Sequence, residues 1–253
     1  MIRLLACFLM SLLLVISARA ERLVSQLSND NIEVTSSFDG ERMTFFGSIA
    51  PDAGSEQRFV TGPFNVVVVV LGPTQNRVAR EKTHNFGVWL NTDQVEFDNF
   101  PSYLHVLSSS RLTDIADVET LTANGILPEA YTATASKAGP WKTAIFSREL
   151  LRLMGEDGLF GIQENSVNFL SDNFYSARLT LPSNAPPGPY IALTYVFKNG
   201  EVIARKSEGF SVRKIGFERF IALSAVQQPL LYGLVCVILA LFTGWLGGVI
   251  FRR

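Results

Sequence analysis

Two spacings of apolar residues alternate along this chain, and a third pattern closes it. From Leu23 to about Ser108 the period is two, or the apolar residues run together. Ile32-Glu33-Val34-Thr35-Ser36 alternates, and Arg42–Ile49 (RMTFFGSI) is aromatic and β-branched, with Gly47 a candidate bulge. Phe64–Leu71 (FNVVVVVL) is a valine run bounded by Gly62-Pro63 and Gly72-Pro73, the pattern of a central strand covered on both faces. Shorter strands are expected at Arg77–Thr83, Gly87–Asn91, Gln94–Phe97 and Tyr103–Leu107.

The spacing then lengthens. Leu112, Ile115, Val118 and Leu121 predict a helix over Leu112–Asn124, and Thr143–Met154 (TAIFSRELLRLM) predicts a second that stops at Gly155. The glycine-rich stretch Gly155–Gly161 reads as a turn. Strand signals return at Ser166–Leu170, Phe174–Leu181, Tyr190–Phe197 and Val202–Lys206, with Asn199-Gly200 a hairpin turn between the last two. Short strands at this spacing make the fold mainly β, an immunoglobulin-like sandwich. The helices are a helical insertion at about 111–160 or, alternatively, a connector between two β units.

The third pattern is continuous. Leu230–Phe251 (LLYGLVCVILALFTGWLGGVIF) has no charged side chain, and its length at about 1.5 Å per residue gives roughly 33 Å, enough to cross a bilayer core. The expected organisation is a signal peptide at 1–20, with Ala18-Arg19-Ala20 as its cleavage pattern, and a periplasmic domain at 21–215. A juxtamembrane helix at 216–228, a transmembrane helix at 229–251 and a cytoplasmic tail at 252–253 follow. An uncleaved amino-terminal anchor is the alternative for 1–20. Arg252 and Arg253 favour the cytoplasmic side, so a single-pass inner-membrane protein with an exported domain is expected. In 216–228, Phe217, Phe220, Ile221 and Ser224 share one side, which suits either an interfacial helix or a last element packed on the sandwich.

Charge and cysteine narrow the partners. Setting aside Arg3, Arg19, Arg252 and Arg253, the 22 Lys+Arg and 23 Asp+Glu leave residues 21–229 at −5, without the concentrated positive charge that nucleic acid requires. Cys7 lies in the expected signal peptide and Cys236 in the span, so thiol chemistry and thiolate metal sites are excluded from the exported domain.

Candidate chemistry is sparse. His84 and His105 have no spacing that places two imidazoles on one face, and a small metal site would need their strands adjacent with Asp93 or Glu96 nearby. Asp93, Glu96 and Asp98 miss the calcium-loop pattern. Ser109, Ser110 and Arg111 offer hydroxyls and a guanidinium for an anion, or simply cap the helix that begins near Leu112. No catalytic residue, metal ligand or cofactor is assigned. In the span, Ala240, Gly244 and Gly248 recur every fourth residue, a small-xxx-small ribbon that lets another helix approach. The partner is expected to be a polytopic membrane protein, with a homodimer through the same helix as the other use of the ribbon.

Several strings carry a resemblance: TGPFNVVVVVLGP at 61–73, GVWLN at 87–91, FPSYLHVLSSSR at 100–111, APPGPY at 185–190, GFERF at 216–220, QPLLYG at 228–233 and TGWLGGVIFRR at 243–253. Together they resemble the alphaproteobacterial transmembrane-protein family of the Alph_Pro_TM type. That resemblance implies no assigned activity, and it implies genes encoded beside permeases similar to sulfite exporters. The expected role is therefore a non-enzymatic, membrane-anchored accessory protein of such an anion permease. A periplasmic anion- or metal-binding module delivering ligand to a transporter is the alternative.

Overall fold

Val66 to Val70 are all fully buried, and the architecture follows from what covers them. A computed structural model describes residues 22–34, 40–51, 60, 62–85, 87–132, 138–214 and 217–250. The expected signal peptide and the terminal arginine pair lie outside these residues.

Two sheets face each other. The first orders β1 (Arg22–Leu27), β3 (Glu41–Ala50), β10 (Phe174–Leu181) and β9 (Val167–Ser171), all antiparallel. The second orders β2 (Asn31–Val34), β12 (Glu201–Lys214), β11 (Gly188–Lys198), β4 (Asn65–Leu71), β7 (Leu104–Ser108) and β8 (Phe160–Gln163). In immunoglobulin lettering the first sheet is A-B-E-D, and β12-β11-β4 form G-F-C of the second. Tyr190, near the start of β11, donates its hydroxyl to the Pro186 carbonyl at 2.7 Å. This is the tyrosine corner of such sandwiches, here closing the Pro-rich turn that the sequence marks. The fold is thus the expected immunoglobulin-like sandwich, followed by one apolar helix.

Local chemistry explains most elements. Asn199 and Gly200 take φ of 52° and 87°, the left-handed pair that a two-residue turn between β11 and β12 requires. Gly47 is not a bulge, because β3 pairs in regular register past it with both neighbours. A side chain there would strike the Tyr175 ring, at 2.2 Å from its hydroxyl oxygen, so the glycine makes room for an aromatic lying across the strand.

Four helices lie between β7 and β8: α1 (Leu112–Ile115), α2 (Val118–Ala123), α3 (Glu129–Thr132) and α4 (Pro140–Glu156). The single helix expected over Leu112–Asn124 is divided at Asp117, whose carboxylate accepts from the Thr120 amide at 2.7 Å and starts a new helix. The insertion covers the sandwich: Tyr195 of β11, level with Val67 of β4, donates its hydroxyl to the Asn124 carbonyl at 2.8 Å. Helices on one side and a sheet on the other account for a valine run with no wet face.

The short strands expected between 77 and 97 are two long ones. β5 (Thr74–Asn85) and β6 (Val88–Pro101) pair antiparallel as a separate ribbon, with irregular register near Gln75/Arg77 and Glu81/Lys82. The ribbon stands as an arm between β4 and β7. α4 lies along it, and Lys142 pairs with Asp93 of β6. The stretch expected as a turn, Gly155–Gly161, turns at Asp157 and Gly158, but its last two residues begin β8, which joins β7 in parallel register with Leu104 opposite Phe160.

Candidate functional site

The carboxyl-terminal helices carry the feature best suited to an interaction. α5 (Phe217–Gln227) and α6 (Pro229–Ile250) meet at Gln228. The Gln228 amide donates to the Ser224 carbonyl and the Tyr232 amide to the Gln228 carbonyl, each at 3.0 Å. Gln228 itself lies in neither helix, and Pro229, which lacks an N–H, opens α6. α5 and α6 touch at this junction, and Ile221, Ser224, Leu231, Tyr232 and Val235 line a shallow apolar groove of about 340 Å³ along one side of the pair.

α6 has 22 residues, no charge, and none of its hydrophobic window buried against the protein. Its backbone polar groups are satisfied within the helix, and the one hydroxyl in mid-span, on Thr243, donates to the Leu239 carbonyl at 2.7 Å. Ala240, Gly244 and Gly248 lie exposed on it, and nothing stands within 4 Å of where a Cβ would project from either glycine. Such a ribbon lets a second helix backbone come close enough for dispersion contacts that bulky side chains would prevent.

The family described as "Putative transmembrane protein (Alph_Pro_TM)" matches residues 22–253. The chain belongs to the Alph_Pro_TM family. No protein of curated function matches it. Family membership and the charge-free α6 together support membrane association: a mainly β domain precedes a helix long and apolar enough to cross a bilayer.

The other candidates are placed as follows. Ser109 and Ser110 both donate to the Asn65 side-chain oxygen, at 3.1 and 3.0 Å, and the Ser109 hydroxyl also accepts from the Val66 amide at 3.0 Å. The serines thus tie the end of β7 to the start of β4. The Leu112 amide at the start of α1 donates at 3.0 Å to the Glu164 carboxylate, which puts a carboxylate where an external anion would sit. Arg111 is exposed beside them and makes no side-chain cap.

His84 and His105 do not come together. His84 stands near the outer end of the arm, its ring edge-on to Trp89 at 5.1 Å. His105 is buried in β7, stacked on Tyr103 at 4.7 Å, with Nε2–H donating to the Gly158 carbonyl at 3.1 Å. Its Nδ1 has no partner among the described residues, and burial pushes its pKa below the ordinary value. Gly161 of β8 makes this packing possible, since a Cβ there would lie 2.7 Å from the imidazole. Among the described residues no three His, Cys, Asp or Glu side chains gather as a metal site.

A groove of about 720 Å³ between β5 and α4 was not visible in the sequence. Val78, Phe146, Leu150 and Met154 supply apolar walls, and Arg77, Arg80, Glu81, Glu149 and Asp157 line it as well. Its two walls are 60 to 80 residues apart in the chain, and the periodicity of each element says only that one face is apolar.

Proposed function

We propose that the protein is a non-enzymatic accessory protein of the inner membrane. Its β-sandwich lies in the periplasm, and its α6 ribbon pairs with a polytopic membrane protein such as an anion permease similar to sulfite exporters. The observation that carries this reading is the uncovered row of Ala240, Gly244 and Gly248 on a membrane-length helix. A passive anchor needs only apolar side chains, and glycine weakens a helix by about 0.8–1.0 kcal/mol relative to alanine. Two glycines on one face are better explained by close approach of a neighbour. Residues 1–20 serve as the export signal in this reading, and Arg252 and Arg253 hold the carboxyl end in the cytoplasm.

Crosslinking in native membranes followed by mass spectrometry identifies the partner. Gly244→Leu with Gly248→Leu is expected to abolish its co-purification while the thermal unfolding of the β domain stays as in the wild type. Undiminished co-purification overturns the pairing. If the ribbon instead joins two copies, the same variant loses a homodimer crosslink and no permease is recovered from the wild type.

The other reading is a periplasmic module that binds an anion and delivers it to a transporter, through Arg77 and Arg80 of the groove between β5 and α4, which Glu81, Glu149 and Asp157 also line. Calorimetry of the full chain in detergent with sulfite and phosphate tests it, and an absence of heat for both removes it.

A further inference from the structure

The β5–β6 arm has a free edge, and a groove runs along it. Among the described strands β5 pairs with β6 alone. Their register is regular from Arg77 to Glu81 and breaks on either side, between Gln75 and Arg77 and between Glu81 and Lys82. Within that run every second residue turns its N–H and C=O away from β6, and no backbone group of another described residue pairs with them. Irregularities at both ends confine the pairing that this edge offers to five residues.

The groove of about 720 Å³ follows the same five residues. Arg77, Ala79 and Glu81 stand level with Phe97, Val95 and Asp93 of β6. Phe97 and Val95 are buried and Asp93 pairs with Lys142, so this face of the ribbon turns to α4. Val78 and Arg80 point to the other face, yet they line the groove too. A cavity that touches both faces in unbroken sequence lies at the edge of the strand. Across it α4 buries Phe146, Leu150 and Met154, while Ile145 and Leu153 line the groove and stay 40 and 50% exposed. At about 3.3 Å per residue, 4.8 Å between strands and 10 Å between layers, a five-residue strand fills roughly 800 Å³. The groove is thus the size of one strand. Its two arginines are offset by Glu81, Glu149 and Asp157, so an uncharged backbone suits it better than a free anion.

Membrane anchoring decides whose strand fits. The arm is rooted at the end of the sandwich that leads to α6. Leu71, the last residue of β4, lies opposite Ile191, and Val212 of β12 lies opposite Gly188, from where the chain runs through Lys214 to α5. From that root the arm runs back beside the insertion, since β6 touches α3 and α4. Two copies of β5 paired antiparallel are related by a two-fold axis across the strands. That axis would point the second copy's α6 away from the bilayer of the first. The strand therefore comes from a different polypeptide.

We propose that the edge of β5 between Arg77 and Glu81 takes up an extended segment of another exported protein as a third strand, with apolar side chains at alternate positions under Ile145 and Leu153. Main-chain bonds hold the segment, and α4 selects its side chains. The choice of a different polypeptide rests on α6 spanning the bilayer, which carbonate extraction tests by itself.

The full chain in nanodiscs of phosphatidylethanolamine and phosphatidylglycerol is titrated against a fluorescein-labelled heptapeptide of alternating valine and threonine between two lysines. A saturable rise in anisotropy is expected. N-methylation of the three central residues removes donors and leaves the side chains, and is expected to weaken binding about tenfold or more. Ile145→Lys with Leu153→Lys is expected to weaken it similarly with the unfolding transition unchanged, since both positions are exposed. An absent rise, or one that the N-methylated peptide matches, overturns the proposal. Ala79→Cys, with Cys7 and Cys236 replaced by serine, reports the other occupant. A disulfide-linked dimer in native membranes places a second copy on the edge and overturns the choice of partner, whereas a monomer upholds it.

Discussion

β4 and α6 are both runs of apolar residues without a charge, yet their surroundings are opposite. The five valines of β4 are wholly enclosed, whereas the hydrophobic window of α6 touches no protein core. Composition does not separate them; length and geometry do. β4 is seven residues flanked on each side by paired strands, so its backbone polar groups are satisfied by β11 and β7. α6 satisfies its own backbone along 22 residues and needs no neighbour, which is what a hydrocarbon solvent demands. The same side-chain chemistry thus supports a core in one place and an anchor in the other.

Three changes break or sharpen this contrast. Val68→Asp places a carboxylate in the dry centre of the sandwich, at a cost of several kcal/mol against a total stability of about 5–15 kcal/mol. Loss of the cooperative unfolding transition in circular dichroism is expected, with α6 still directing the chain to membranes. A folded V68D protein would mean that β4 is not enclosed as described.

Leu239→Arg, near the middle of α6, carries an insertion penalty of about 2.5–3.5 kcal/mol and leaves the sandwich untouched. The fraction released by alkaline carbonate is expected to rise while the unfolding midpoint of the β domain holds. An unchanged carbonate profile contradicts the placement of Leu239 in hydrocarbon.

The smallest effect comes from His105, the imidazole level with Val70 at the edge of the valine core. Burial lowers its pKa in the folded state below the ordinary histidine value of about 6.5, so the unfolded chain takes up the proton first as pH falls. Its contribution to stability is full above pH 6.5 and declines as pH drops below that value. His105→Gln is expected to flatten the fall in melting temperature between neutral and mildly acidic pH. A parallel fall in both proteins would assign the pH dependence to other groups.

Much of this was legible in the sequence, for local reasons. The Asn199-Gly200 turn is dictated by backbone conformations that few residue pairs adopt, and the small-residue ribbon follows from helical geometry once the span is recognised. The arm was harder to see. Its strands alternate in burial only in the lower half and are exposed on both sides near Val88–Leu90, so a period-two signal fades before the turn. β8 was hidden by its glycine, Gly161, which is needed because His105 lies against it. The divided helix at Asp117 shows a cap overriding an otherwise continuous apolar spacing. Ser109 and Ser110 read as an anion contact or as a cap for the helix near Leu112, whereas Asn65, more than 40 residues earlier, takes both hydroxyls.

By itself the sequence determined the β character of the domain, the hairpin turn between the last two strands and a helix long and apolar enough for a bilayer. Each of these is set by neighbours within a few residues. Only the tertiary structure decided which sheet each strand joins, that the arm and α6 share one end, and that the serine hydroxyls are spent on Asn65. Those outcomes depend on register and packing between segments far apart in the chain, where side-chain pattern alone carries no information about the partner.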